Sequence, residues 1–213
     1  MKTINISGFD PSRVFFIGDL HHSHKNIIDF DKRDFSELKD MNNYIEKTLS
    51  ETLKPTDLLI DLGDLYLGSG ITALLNLLSC IPCPMYKIIG NHDKEKLFDK
   101  VKDKFIYYED SFILETLNDK ITVSHYPILD YPHMYNGGIE VFGHTHGHLD
   151  KFISSTPYLM VDLGFSSSFS KQAGTFIHSL DSVLSWFKRR TGGKEFKDWA
   201  QEMYHGKTSL WSE

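Results

Sequence analysis

The chain has 213 residues, of which 40% are hydrophobic and 24% charged, a composition typical of one globular domain with a sizeable core. Lysine and arginine total 23 against 29 aspartates and glutamates, so the formal net charge is −6. This balance argues against an extended nucleic-acid footprint, which needs many cations to neutralise phosphates. Eleven histidines are present, and their positions are informative because histidine is both a metal ligand and a proton shuttle.

The sequence contains no apolar run approaching the roughly 20 residues that cross a bilayer. Residues 1–13 also lack the basic and apolar layout of a signal peptide. We therefore expect a cytoplasmic protein without a membrane partner. Cys80 and Cys83 lack the second cysteine pair that would complete a zinc site. We interpret them as ordinary reduced thiols, with a redox or metal-binding role as the alternative.

Apolar runs and amphipathic segments alternate in the first half of the chain. Runs rich in β-branched and aromatic residues predict strands at residues 14–17, 58–60 and 86–89. Apolar side chains at helical spacing predict helices over residues 41–53, 71–78 and 97–105. The chain therefore begins as alternating strands and helices, a pattern typical of a parallel sheet.

Strands dominate the sequence after residue 105. Short apolar runs predict strands at residues 105–108, 112–114, 121–123, 139–142, 158–161 and 175–177. Because their links are short, we expect a meander in this half. The two halves together predict an α/β fold in which two mixed β-sheets pack face to face, with helices outside.

The tail after residue 179 contains Trp186, Trp199, Trp211 and a basic run at residues 188–190. We interpret this tail as one or two terminal helices docked on the domain. A partner-binding element is the alternative.

Polar clusters follow five of the predicted strands at their carboxyl ends. The clusters are Asp19 with His21, Asp61 with Asp64, Asn91 with His92 and Asp93, His125, and His144 with His146. In open α/β sheets, ligands bind beyond the carboxyl ends of the strands, so these five segments are expected to meet. Histidines and carboxylates at such density predict a metal centre. Asp61 is the exception, because we expect it to be a strand-end residue rather than a ligand.

The clusters resemble the motifs of a known family. Asp19-x-His21, Gly63-Asp64, Gly90-Asn91-His92-Asp93, His125 and Gly143-His144-Thr145-His146 are similar, in order, to the five motifs of calcineurin-like metallophosphoesterases. The resemblance covers about residues 13–165, and residues 19–28 look like a compact branch of that family from bacteria and phages. It implies a four-layer α/β/β/α sandwich, as a single domain over residues 1–213 with a C-terminal extension from about residue 180.

The resemblance also implies two divalent metal ions. One ion would be held by Asp19, His21 and His146, a second by Asn91, His125 and His144, and Asp64 would bridge them. Nitrogen and oxygen donors without thiolate suit manganese, iron, zinc or nickel rather than calcium, and we expect Mn²⁺. The loaded centre would carry about one positive charge and attract phosphate, and a hydroxide between the ions would attack phosphorus in line.

Further residues are predicted to act on the substrate. The resemblance assigns to His92 the role of general acid for the leaving oxygen, with Asp93 orienting it. His24 and Lys25 precede a predicted helix and are candidates to contact the phosphate, although helix capping or a surface position is the alternative for His24. Tyr126 lies in an aromatic loop that is expected either to contact the substrate by stacking or to pack internally.

We expect a dinuclear metal-dependent phosphoesterase, and more specifically a phosphodiesterase acting on small or nucleotide phosphoesters. A phosphomonoesterase acting on proteins or nucleotides is the alternative in the same class. Retention of every expected ligand position disfavours a non-catalytic interaction module. The net charge and the length disfavour a nuclease, although the basic run at residues 188–190 leaves short oligonucleotides open.

Overall fold

A computed structural model of the chain describes residues 1–205, so Trp211 lies outside the described part. The strands are β1 (Lys2–Asn5), β2 (Val14–Ile17), β3 (Leu58–Asp61), β4 (Met85–Ile88), β5 (Tyr107–Glu109), β6 (Ser111–Glu115), β7 (Lys120–Ser124), β8 (Ile139–Phe142), β9 (Met160–Asp162) and β10 (His178–Ser179). The α-helices are α1 (Asn26–Phe30), α2 (Leu38–Thr52), α3 (Ile71–Ser79), α4 (Glu95–Phe98), α5 (Asp150–Ser155), α6 (Ser168–Ala173), α7 (Leu180–Arg190) and α8 (Phe196–Ala200). Short 3-10 turns and a terminal π-turn complete the elements.

The strands form two mixed sheets of five. One sheet has the order β10-β2-β3-β4-β5, in which only β10 is antiparallel to its neighbour. The other has the order β1-β6-β7-β8-β9, in which only the β6–β7 pair is antiparallel. The predicted α/β architecture of two mixed sheets flanked by helices is therefore confirmed.

Alternating side chains on each strand fill two different cores, because successive residues of a strand point to opposite faces. Val14 and Phe16 of β2 lie in a core shared with Val123 and Val141 of the other sheet. Ile17 lies instead in a core that includes the buried face of α2. Both faces of β2 are thus covered, which explains why its sequence is apolar throughout.

The predicted helices are confirmed except for the third. In α2, Met41, Ile45 and Leu49 recur every four residues and are fully buried, as an amphipathic helix requires. The third predicted helix is only the short α4, followed by a 3-10 segment in which Val101 has a non-helical φ of −129°. Phe98 and Val101 are both buried, so their spacing reflects packing rather than one continuous helix.

The predicted meander is wrong for three strands of the second half. β7, β8 and β9 run parallel, so the chain must cross over between them, and the second crossover contains α5. The strand predicted at residues 175–177 is also absent from the described chain, and β10 follows it instead. Phe176 and Ile177 are buried against helices rather than paired in a sheet. The prediction missed β1, in which only Ile4 is buried.

The tail packs on the domain as predicted over residues 180–205. Leu180, Val183 and Phe187 of α7 join the core between the sheets. Beyond α7, the Trp199 Nε1–H donates to the carbonyl of Pro157 at 3.3 Å. No helix within residues 1–205 is long and apolar enough to cross a membrane.

The two cysteines are free thiols, Cys83 buried and Cys80 partly so. Burial raises the pKa of the Cys83 thiol to about 11, which keeps it protonated and unreactive. This geometry supports the interpretation of ordinary reduced thiols.

Candidate metal centre

The structure brings the seven predicted ligand residues together at the carboxyl ends of five strands. Asp19, His21, Asp64 and Asn91 follow β2, β3 and β4 of one sheet, whereas His125, His144 and His146 follow β7 and β8 of the other. Candidate ligand atoms lie within 4.8 Å of one another in two groups, Asp19–His21–His146 and Asp19–Asp64–His125. The site therefore straddles the junction of the two sheets.

In the first group, the two imidazoles point their Nε2 atoms at the same space. The Nε2 atoms of His21 and His146 lie 3.3 Å apart. Oδ1 of Asp19 lies 3.9 Å from Nε2 of His146. Asp19 also belongs to the second group, which the sequence analysis had not foreseen.

Asp64, a member of the second group, also lies close to His21 of the first. Its Oδ2 atom is 3.5 Å from Nε2 of His21 and 3.6 Å from Nε2 of His125. On the far side of His125, Oδ1 of Asn91 is 2.9 Å from both His125 Nε2 and His144 Nδ1. One carboxylate thus connects donors that belong to separate loops, as a bridging ligand would.

Two buried carboxylate oxygens indicate that these residues fit metal ions. Oδ2 of Asp19 and Oδ2 of Asp64 are buried and have no hydrogen-bond partner within residues 1–205, which is costly for a charged group. Burial and the nearby Asp162 raise the pKa of Asp19 well above its usual range. Burial and Asp93 raise the pKa of Asp64 to about 6. Divalent cations would compensate both carboxylates.

The buried histidines are held in the neutral form that binds metals. Burial, with the proximity of His146, lowers the pKa of His21 to about 2. Burial also lowers the pKa of His125 to about 4. Nδ1 of His125 lies 2.9 Å from the carbonyl of Leu62, and because a carbonyl only accepts, the ring proton is on Nδ1. The lone pair of Nε2 is therefore directed into the site.

The backbone at the site is strained. Five of the predicted ligand residues have a φ between +49° and +68°, in the left-handed region that side chains rarely adopt: Asp19, His21, Asp64, His144 and His146. Such strain concentrates at functional sites. Gly90 is required for close approach, because a Cβ there would lie 2.2 Å from Oδ1 of Asp64.

His92 lies exposed beside the first group. Its ring centroid is 5.3 Å from that of His21 and 6.5 Å from that of His24. Its backbone N–H donates to Oδ1 of Asp64 at 2.8 Å, which fixes the loop while the ring faces outward. This position suits a group that contacts the substrate.

Asp93 does not orient His92, in contrast to the prediction. Oδ2 of Asp93 accepts hydrogen bonds from the backbone N–H of Asp64 at 3.0 Å and of Gly90 at 2.8 Å, and from Nζ of Lys87 at 2.5 Å. The buried lysine directs the carboxylate away from the ring of His92. Asp93 therefore acts on the backbone, where it ties the loop after β3 to the loop after β4.

Lys87 is the buried partner that the sequence analysis missed. Nζ of Lys87 lies 2.7 Å from Oδ2 of Asp61 and 2.5 Å from Oδ2 of Asp93, and all three side chains are fully enclosed. Burial disfavours the charged lysine, but the two aspartates outweigh this and raise its pKa. Asp61 is thus a strand-end residue paired with Lys87, consistent with the expectation that it is not a ligand.

Asp31 and Arg33, also missed, support the first group. Oδ2 of Asp31 lies 2.7 Å from Nδ1 of His146. Burial opposes the Asp31 carboxylate, but hydrogen bonds from His146 and Ser166, and the charge of Arg33, lower its pKa to about 2. Burial alone would lower the pKa of His146, but the hydrogen bond to Asp31 and the charges of Asp19 and Asp31 outweigh it and raise that pKa. The Arg33 guanidinium also donates to the carbonyl of Asp19 at 2.8 Å.

Asp162 holds the loop that carries His144 and His146. Its Oδ2 accepts hydrogen bonds from Oγ1 of Thr145 at 2.5 Å and from the backbone N–H of Gly147 at 2.9 Å. Asp162 ends β9, so the same strand-end rule that found the other clusters could have found it.

The predicted substrate residues occupy different environments. His24 lines a cleft of about 260 Å³ beside the first group, which is bounded by His21, His24, Ile27, Phe30, Asp31, His92, His146 and His148. Lys25 is exposed at the start of α1. A larger cavity, of about 400 Å³, contains none of the predicted ligands.

Two tyrosines of the aromatic loop after β7, Tyr126 and Tyr131, lie in different environments. The ring of Tyr126 is half-exposed and lies 4.3 Å from that of His144, at the edge of the second group. Tyr131 is instead buried, and its hydroxyl accepts the backbone N–H of Leu159 at 3.1 Å. Of these two tyrosines, Tyr126 is the one beside the candidate centre.

Comparison with known families decides the family. A family model described as calcineurin-like phosphoesterase matches residues 12–203. The chain belongs to this family. The resemblance inferred from the motifs is therefore confirmed, and the Asp/His groups described above are candidate metal ligands within it.

Two further proteins are similar to this metallophosphoesterase. The uncharacterized protein MJ1445 of Methanocaldococcus jannaschii is 29% identical over 142 residues, which cover 66% of this chain and 73% of that protein. The crystal structure of AQ665 from Aquifex aeolicus, a protein of unknown function, matches with a TM-score of 0.62 at 22% identity, covering 81% of this chain and 98% of the other. The second likeness shows a shared fold.

Proposed function

We propose that the chain is a dinuclear metal-dependent phosphodiesterase that hydrolyses small phosphoesters, including nucleotides. The observation that carries this proposal is the position of Asp64, whose unpartnered Oδ2 lies between His21 and His125 at 3.5 and 3.6 Å. Such a carboxylate is suited to hold two cations at once. Family membership supports phosphorus as the reacting centre.

Each part of the donor set would hold one ion. Asp19, His21 and His146 would bind the first, Asn91, His125 and His144 the second, and Asp64 both. When bound, a pair of divalent ions activates water and stabilises the charge that develops on phosphoryl oxygens. The mixed nitrogen and oxygen donors can accept manganese, iron, zinc or nickel, and we propose Mn²⁺ as the ion for laboratory loading.

His92 would donate a proton to the leaving oxygen, as a general acid. The residue is exposed, and its ring lies near the rings of His21 and His24. The ring itself makes no hydrogen bond within residues 1–205. The hydrogen bond from the backbone N–H of His92 to Asp64 fixes the backbone of His92 relative to the donor set. Asp93 contributes indirectly, since it positions the backbone of Asp64 and Gly90.

The charges around the cleft favour a diester over a monoester. Arg33 is engaged by backbone carbonyls and Asp31, and Lys87 by Asp61 and Asp93. Within the described chain, no lysine or arginine lines the cleft. A diester carries one negative charge, whereas a monoester carries up to two. A diester therefore needs fewer cationic side chains around it.

The test is a pair of assays on protein stripped with chelator and reloaded with Mn²⁺. We expect kcat/KM to be higher for bis(4-nitrophenyl) phosphate than for 4-nitrophenyl phosphate, and elemental analysis to find two ions per chain. Hydrolysis of the monoester alone would overturn the diesterase assignment. Failure to hydrolyse either ester with two ions bound would overturn the phosphoesterase assignment.

A further inference from the structure

The cleft beside the first group has two unlike walls. One wall consists of the imidazoles of His21, His92 and His146, which belong to the predicted metal and proton-transfer groups. The other wall belongs to α1 and consists of Ile27 and Phe30. Because residues three apart share a face of a helix, Ile27 and Phe30 form one apolar surface.

Phe30 is unusually exposed for such a surface. It is 74% exposed, more than any other phenylalanine within residues 1–205, whereas Ile27 is 4% exposed and anchors the helix. The ring of Phe30 meets that of His24 edge-on, with centroids 6.5 Å apart and planes at 66°. One face of the Phe30 ring is therefore available beside the cleft.

His24 connects this apolar wall to the candidate centre. Its ring lies 5.5 Å from that of His21 and 6.5 Å from that of His92. Nδ1 of His24 is buried and has no hydrogen-bond partner in the described part of the chain. The His24 ring thus lies beside both the Phe30 ring and the imidazoles of the candidate centre.

We propose that Phe30, Ile27 and His24 form a subsite for a nucleobase on the leaving-group side of the substrate. This inference rests on the phosphoesterase function proposed above. Every base has a flat π-face, so stacking on an exposed aromatic ring binds bases with little sequence preference. The cleft, at about 260 Å³, is smaller than usual drug-sized sites and suits one ring system. We place the base on the leaving-group side because His92, the proposed acid for the leaving oxygen, lines the same cleft.

The test compares two phosphates that differ only in the base. Adenosine 5′-monophosphate and ribose 5-phosphate are titrated calorimetrically into the Mn²⁺-loaded full chain, Phe30→Ala, Phe30→Tyr and a control, Phe9→Ala. Phe9 is also exposed, at 44%, but precedes β2, whereas the site follows that strand. We expect the wild type and Phe9→Ala to prefer the nucleotide by about tenfold or more.

Phe30→Ala should lose most of the preference for the nucleotide, while its affinity for ribose 5-phosphate stays within about twofold of the wild type. Phe30→Tyr should keep the preference, because it keeps an aromatic ring. Equal weakening of both phosphates, or no preference in the wild type, would overturn the subsite. The proposed function is read separately, from hydrolysis of bis(4-nitrophenyl) phosphate. Turnover with no base preference would overturn the subsite alone, whereas base preference without turnover would overturn only the hydrolase function.

Discussion

Nδ1 of His146 lies 2.7 Å from Oδ2 of Asp31, a residue 115 positions away in the sequence. The contact fixes the ring so that Nε2 faces His21 and Asp19. A carboxylate behind a histidine ligand sets its tautomer and raises its basicity. Asp31 therefore belongs to the support of the candidate centre, although it carries no recognisable motif.

Asp31→Asn should weaken metal binding at the first group. The amide cannot accept from Nδ1 with the strength of the carboxylate, and we expect Mn²⁺ affinity to fall roughly 10- to 100-fold. Competition titration against a chelating dye measures this. Asp29→Asn, which replaces an exposed aspartate in α1 just before Asp31, is the control, and unchanged affinity in Asp31→Asn would contradict the supporting role.

Asp64→Asn should cost more activity than replacement of any other predicted ligand. The substitution removes the carboxylate proposed to bridge the two ions, whose Oδ2 lies near both His21 and His125, and we expect kcat to fall by roughly 10²–10³-fold or more. Bound metal, measured by elemental analysis, should fall as well. The exposed Asp103→Asn is the control. Turnover like that of the wild type would mean that the bridging assignment is wrong.

His92→Ala should retain metal but lose turnover. Loss of a positioned acid costs about 10²–10⁴-fold, and the loss should be most severe for diesters with poor leaving groups, which need the proton most. A series of aryl diesters with leaving groups of different pKa measures this dependence. An equal loss across the series would argue against general-acid catalysis, and loss of metal would assign His92 to ion binding.

Lys87→Met should destabilise the whole fold. The variant leaves two buried aspartates, Asp61 and Asp93, without their cation, and breaking such a buried group costs about 3–5 kcal/mol of unfolding free energy. Urea unfolding measures the loss. Lys47→Met removes an exposed lysine paired with Glu51 and should change stability by less than about 1 kcal/mol. Equal stability of the two variants would refute the role of the buried lysine.

Glu140 should make stability depend on pH. Burial raises the pKa of its carboxyl to about 8 in the folded chain, so the folded state holds a proton that the unfolded state has released. Stability is then full below pH 4.5 and falls as pH rises toward 8, by up to about 1.4 kcal/mol per pH unit. Other carboxyls with a raised pKa, such as Asp64, also contribute, so urea unfolding from pH 5 to 9 should show a steeper slope in the wild type and Glu109→Gln than in Glu140→Gln.

The sequence was sufficient for the architecture and the seven strand-end residues, because apolar runs and the polar residues that end them are local patterns. The meander prediction overlooked a signal for strand direction, because the links at residues 125–138 and 143–159 are long enough for crossovers between parallel strands. The sequence was insufficient for Asp31 and Lys87. Each resembles an ordinary surface residue, and only the partner brought by tertiary packing, His146 or Asp93, reveals its role.

Because the donors are divided between two sheets, the spacing of the candidate centre is set by the apolar core beneath it. Asp64 follows a strand of one sheet, and His125 follows a strand of the other. Side chains such as Phe16 and Val141 pack between the two sheets. Close-packed cores transmit small volume changes. Residues of this core, such as Phe16 and Val141, thus influence the distance between the two halves of the donor set, although they are not themselves predicted ligands.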